Sequence, residues 1–358
     1  GFWASREINS PVQVVCHYLK AVQEGVLDSK DVYFSGPSKD TLLLDDECRQ
    51  LLVKHFSPTP KMAYTTINMY LQVLATELKK MSASHFFTIE GLRTMVGPGQ
   101  HRVRSDLFKA LDVVAQEFSS RSVESSGTQP LTGRDAAHAL QELDQGPTVT
   151  AEKMVERVKG MVQWADSNHL MVVFNQQDTQ TLSPLYRLLS QVPESVKNLF
   201  EKQLNKKLPD YQQMQQTQLQ TVLERICRDT RDEFQRSKLG HLQTTYALTP
   251  DNLMKMVLIH MRVKSRVPVV IMGETGCGKT TLITFLARIC EIPFEVLNFH
   301  AGVSKEVITD FIAQMRGKAE ANLDQQIWCF LDEINTCDHL GVLSEIICHQ
   351  KCLGQPLP

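Results

Sequence analysis

The chain has 358 residues, 42% hydrophobic and 22% charged, which is enough apolar matter for a sizeable core and excludes disorder throughout. Lys plus Arg total 38 against 40 for Asp plus Glu, a net charge of −2, so no whole-chain field draws nucleic acid or an anionic membrane. The longest apolar runs, Met254–Met261 and Val267–Met272, fall well short of the ~18 residues a transmembrane segment needs.

Taken in order, the region to about Phe118 reads as short helices. Leu42–Phe56 has apolar residues at 44, 48, 51 and 52 in the 3.6-residue rhythm, ahead of the breaker Ser57-Pro58-Thr59-Pro60. Lys61–Met81 is a second amphipathic stretch, and Leu107–Phe118 a third, with Leu107, Leu111, Val114 and Phe118 on one face. Gly97-Pro98-Gly99 marks a loop between them. From Ser119 to about Thr150 serines, glycines and prolines crowd together, which predicts a linker or surface insertion with at most one marginal helix at Arg134–Asp144.

Residues 151–248 read as a helical connecting region. Apolar patterning returns over Val155–Val173, and Pro193–Lys238 is largely helical. The Gln-rich run Gln212–Gln220 belongs to the solvated face of an ordinary helix, because Leu219, Val222, Leu223 and Ile226 keep the i, i+3, i+4, i+7 spacing. No repeat of solenoid period is evident.

After Leu248 the character changes. Thr249 suits an N-cap, Pro250 the first helical position and Asp251 the first turn of a helix to about Lys264. Pro268–Met272 reads as a buried strand, and it runs directly into Gly273-Glu274-Thr275-Gly276-Cys277-Gly278-Lys279-Thr280, a G-x-x-x-x-G-K-[ST] loop without deviation. Glycines let the backbone curl until several N–H groups face one anion, and the following helix turns its positive end toward the same point. In this reading residues 273–281, Thr281 included, hold the phosphates of ATP. Lys279 reaches the β- and γ-phosphates, and the Thr280 hydroxyl binds Mg²⁺. Leu282, Phe285, Leu286 and Ile289 give the next helix its apolar face.

Ile327–Leu331 is a second buried-strand run and ends in Asp332-Glu333, where carboxylates at a strand's C-terminal end would sit beside a phosphate site. Asp332 is assigned to the hydrated Mg²⁺, and Glu333 to orienting and deprotonating the attacking water, the pairing of a hydrolytic ATPase. Between the motifs Pro293–Phe299 reads as a strand and Ser304–Met315 as a helix with Val307, Ile308, Phe311, Ile312 and Met315 inward. The expected fold class is thus α/β plus all-α: a β-α-β-α-β parallel sheet over 249–358, preceded by helices.

The string Asp332-Glu333-Ile334-Asn335-Thr336 is similar to the dynein and midasin branch of AAA+ ATPases, which carries Asn335 into the catalytic set. Pro268–Thr280, Leu297–Val303, Phe330–His349, Arg6–Leu19 and Tyr246–Leu253 resemble the mysterin family, giant RING-type E3 ubiquitin ligases with a dynein-like core of tandem AAA+ modules. The resemblance implies that residues 1–118 are the helical lid of a preceding module, that a neighbouring AAA+ module lends an arginine finger, and that the whole protein works with the ubiquitin machinery. It also implies a cytosolic location, association with lipid droplets and a part in antimicrobial defence; no RING finger lies in these residues. An AAA+ sheet runs 5-1-4-3-2, and strands four and five are not among these 358 residues, so the half-module is expected not to fold stably alone. The start at Gly1-Phe2-Trp3, with neither initiator Met nor signal peptide, likewise reads as a piece of a longer chain.

Nine cysteines read as reduced thiols of a cytosolic or nuclear protein. Cys337, His339, Cys348, His349 and Cys352 suggest zinc, but they match no C-x-x-C spacing and fall on an amphipathic helix with Leu340, Leu343 and Ile347. Cys277 reads as a small spacer, and His17, His55 and His85 as packing residues. No G-x-S-x-G or Cys-His nucleophile is present. Two other readings of the chain are an ATP-binding structural module without turnover and a helical protein-interaction scaffold.

Overall fold

The computed structural model describes residues 7–32, 42–56, 64–97, 102–124, 168–178, 180–228, 246–273, 276–300, 302–321 and 326–357. Two compact units divide the chain, Gly1–Phe174 with Thr179–Gln212, and Asn175–Asp178 with Gln213–Pro358.

The first unit is built on helices α1 (Pro11–Gln23), α2 (Asp45–Phe56), α3 (Tyr64–Ala83), α4 (Ile89–Met95) and α5 (Val103–Glu124). Pro11 opens α1 and the Ser10 side chain caps it, accepting from the Gln13 amide at 3.4 Å. The inward face of α1 brings Tyr18 against Phe108 of α5, ring on ring at 6.1 Å, with the Tyr18 hydroxyl 2.8 Å from Ser82 Oγ on α3. Gln13 is buried but satisfied: its amide donates to Leu43 O at 2.9 Å and accepts from Leu43 N at 3.0 Å. His55 is also a satisfied packing histidine, its Nε2 3.0 Å from Asp112 Oδ1 and 3.1 Å from the Tyr70 hydroxyl.

Helix α5 carries Leu107, Leu111, Val114 and Phe118 inward as their spacing predicts, yet it does not stop at Phe118. It continues to Glu124 through a fully buried Ser119, whose hydroxyl donates to Gln116 O at 2.9 Å. A serine that bonds back to its own helix loses its breaker character, which is why composition placed the boundary too early. The rest of the expected linker, with Arg134–Asp144, lies outside the described residues, as do residues 57–60 and 155–167.

Within the stretch expected to be a helical connection, strands β1 (Met171–Phe174) and β2 (Leu182–Leu185) form an antiparallel pair, Met171 opposite Leu185 and Phe174 opposite Leu182. Every residue of both strands is buried. Burial on both faces explains the continuous apolar run Met171–Phe174, which alternation cannot distinguish from a helix segment. Phe174 packs edge-on to Phe87 at 5.4 Å, and its amide donates to the buried Glu77 carboxylate at 2.8 Å. A short turn, Glu194–Lys197, passes into a π-helical turn at Asn198–Gln203.

The second unit contains α6 (Gln216–Cys227), α7 (Pro250–Lys264), α8 (Lys279–Ile289), strand β3 (Phe294–Asn298), α9 (Lys305–Ala321), strand β4 (Trp328–Asp332), α10 (Leu340–His349) and a terminal hairpin of β5 (Lys351–Cys352) and β6 (Gln355–Pro356). Leu219, Val222, Leu223 and Ile226 form the buried face of α6; Gln215, Gln216 and Gln218 are exposed as expected, but Gln220 is buried, its amide donating to Glu224 Oε1 at 2.8 Å. Thr249 caps α7, its Oγ1 accepting from Asn252 N at 3.2 Å. Strands β3 and β4 are parallel and in register, Phe294 opposite Trp328 and Asn298 opposite Asp332. Phe299, Ile308, Ile312, Cys337, Leu343 and Ile346 make the core between the sheet's C-terminal end, α9 and α10.

Two expectations are corrected here. Residues 267–273 form no strand and pair with none among the described residues, and Val270 and Met272 are 62% and 75% exposed. Strands β3 and β4 pair with each other, and no strand among the described residues lies beside this segment. Val307 turns outward at 48% exposure, while Ile308, Ile312 and Met315 face in. Among the described residues the late cysteines and histidines form no ligand cluster: Cys337 is buried in the core, Cys348 exposed and Cys352 half-buried.

Candidate functional site

The glycine loop and the end of β4 meet in the second unit. Gly276 and Gly278 hold φ of +80° and +82°, the left-handed region that L side chains rarely adopt, and Gly278 is the N-cap of α8. A Cβ on Gly273 would stand 2.9 Å from Cys277 Sγ, so a side chain there would have to push that thiol aside. Lys279 is the first residue of α8. Its ammonium donates to Gly273 O at 2.9 Å and lies 3.8 Å from Cys277 Sγ, spanning the curl. Glu274 and Thr275 lie outside the described residues.

Thr280 follows on α8, and its hydroxyl donates to Asp332 Oδ2 at 2.7 Å, the contact that joins the loop to the strand end. The other Asp332 oxygen accepts from Glu333 N at 3.0 Å, and the Asp332 carbonyl takes the amide of Phe299 at 3.0 Å, so both backbone and side chain of Asp332 are fixed. Glu333 sits at φ 57°, a strained position for a non-glycine residue, and opens the 3-10 turn Ile334–Thr336; its carbonyl accepts from the Thr336 hydroxyl at 2.9 Å. Glu333 and Asn335 are exposed, as are Thr280 and Thr281.

Of the residues expected at the site, Gly273, Cys277, Lys279, Thr280 and Asp332 thus converge, Gly276, Gly278 and Thr281 flank them, and Glu333 and Asn335 follow directly on the turn beyond. Asn298 was not anticipated. The parallel register sets it opposite Asp332 at the same strand end, and its signal was only its place as the last residue of a strand. The donor set suits a magnesium-bound polyphosphate: left-handed glycines and the N-terminus of an eleven-residue helix for the anion, and a hydroxyl with a carboxylate, both hard oxygen ligands, for the metal.

Residues 246–358 match the family model described as the RNF213 AAA domain. Over these residues the chain is therefore similar to an AAA domain. The resemblance to the mysterin family holds as well, RNF213 being the same ligase. The chain is 39% identical over 123 residues to the E3 ubiquitin-protein ligase rnf213-beta of Danio rerio and 36% identical over 123 residues to the RNF213 ligase of Mus musculus, each alignment covering 32% of this chain and 2% of the relative. With the RNF213 ligase of Homo sapiens it shares 24% identity over 342 residues, 87% of this chain and 6% of that protein. The chain thus spans only a few per cent of the length of the curated relatives it matches.

Proposed function

We propose that this chain carries an ATP-binding AAA+ module that hydrolyses ATP to drive conformational change within a much larger E3 ubiquitin ligase. The observation behind this reading is the 2.7 Å contact between Thr280 and Asp332, two residues far apart in sequence with the hydroxyl and carboxylate that a hydrated Mg²⁺ takes. Bound magnesium supplies neutralisation of the charge on the β- and γ-phosphates. The chain's own parts do the rest. The loop amides and the α8 N-terminus orient the phosphates, Lys279 exchanges Gly273 O for a phosphate oxygen, and Glu333 holds and deprotonates the attacking water. Asn335, one turn on, positions that water or Glu333 itself. Completion of the site by an arginine from a neighbouring AAA+ module, ubiquitin transfer elsewhere in the protein, and a cytosolic location with lipid-droplet association are part of the same proposal and rest on likeness to the relatives.

The test is nucleotide binding and turnover in the full-length protein. Lys279→Ala is expected to weaken ATP binding about tenfold to a hundredfold, the loss of a charge-assisted contact. Glu333→Gln is expected to leave binding intact and cut hydrolysis by about 10²-fold or more. Unchanged affinity in the first variant sinks the phosphate assignment. Unchanged turnover in the second leaves Glu333 without its assigned role, whereas no turnover in the wild type, with binding retained, supports the non-hydrolysing structural module instead.

A further inference from the structure

Helices α6, α7 and α8 bring three side chains together that lie 30 or more residues apart in sequence. Cys227 is the last residue of α6, His260 stands on α7, and Cys290 is the C-cap of α8. Their ligand atoms all lie within 4.8 Å of one another, with Cys290 Sγ 3.6 Å from His260 Nδ1. Cys227 and His260 are buried and Cys290 is 9% exposed.

From this convergence we propose a zinc site with Cys227, His260 and Cys290 as its protein ligands. In a tetrahedral site with zinc–sulfur bonds of about 2.3 Å and zinc–nitrogen bonds of about 2.05 Å, a sulfur and a nitrogen sharing the metal stand about 3.6 Å apart, the separation seen between Cys290 and His260. Two thiolates and a neutral imidazole balance the charge of one Zn²⁺, and thiolate ligands select zinc over magnesium or calcium. Two helix C-termini, those of α6 and α8, end at the cluster and turn their negative dipole ends toward a cation there. The 3.6 Å contact with Cys290 Sγ is long for a hydrogen bond at His260 Nδ1, and ligation of one metal by both atoms would replace it.

The residues next to the two cysteines are themselves clamped, the buried Arg228 guanidinium pairing with Glu291, so the ligand-bearing ends are held at fixed separation and Arg228 does not bring an unpaired positive charge to the metal. Three protein ligands leave the fourth corner to a water molecule. The site would tie the far end of α8, whose first residue is Lys279, to α6 and α7.

The probe is zinc chloride with the full-length protein. Metal analysis after removal of loosely held ion is expected to find one fewer zinc per chain in Cys227→Ser, in Cys290→Ser and in His260→Ala than in the wild type. A second measurement does not depend on variants folding: anomalous scattering at the zinc edge from zinc-soaked crystals of the wild type should place a peak among the three side chains. An unchanged zinc count in all three variants, or the lack of that peak, overturns the proposal.

Discussion

The two strand pairs of this protein are made of similar residues and end in opposite surroundings. All eight residues of β1 and β2 are buried, whereas none of β3 and β4 is, and Val296 in the middle of β3 is 37% exposed. The antiparallel pair is a short hairpin that α3 and α5 cover, with Glu77 and Phe87 reaching into it. The parallel pair needs a crossover helix, α9, and a parallel sheet is normally covered on both faces by more helices and flanked by more strands. The lesson is a division of labour. The first unit holds its strands for stability, and the second exposes the C-terminal ends of its strands, where Asp332 and Asn298 stand side by side and where α/β sheets place ligands.

Mutations at matched positions can break that contrast. Phe174→Ala should cost most, about 3–5 kcal/mol, because it empties a fully buried ring site against Phe87. Denaturant unfolding of the chain measures it, and a loss below about 1 kcal/mol would mean that the hairpin is not part of the core. Phe330→Ala in β4, half-buried and stacked on Phe294 at 6.0 Å, should cost about 1–2 kcal/mol, in proportion to the smaller area it withdraws from water. Hydrogen exchange sharpens the same point, with amides of β3 and β4 expected to exchange faster than those of β1 and β2. Met272→Ser should change the stability of the isolated chain least, within about 0.5 kcal/mol, since that side chain is 75% exposed. A cost near that of Phe174→Ala would show that the segment before the glycine loop is covered after all.

The parts legible beforehand share a short range. Ser10-Pro11 and Thr249-Pro250 announce helix starts because a cap and its target amide are three residues apart. The face of α6 follows from four residues within two turns, and the glycine loop from eight consecutive positions, two of which take φ values that favour glycine. The errors share a long range. Met171–Phe174 is a strand because Leu182–Leu185 pairs with it and helices pack over it, and the segment 267–273, with a strand's composition, has no strand partner among the described residues. Ser119 looked like a linker residue until its hydroxyl found Gln116 O.

The amino-acid order alone determined the anion-binding turn, the lysine and threonine that follow it, and the acidic pair after an apolar run, because each is a local matter of backbone freedom and side-chain reach. Only the tertiary structure decided that Thr280 meets Asp332, that Asn298 lies beside it, and that Cys227, His260 and Cys290 share one buried point. Such meetings depend on which apolar faces pack together, a choice made by the whole chain burying its surface and not written in any one segment.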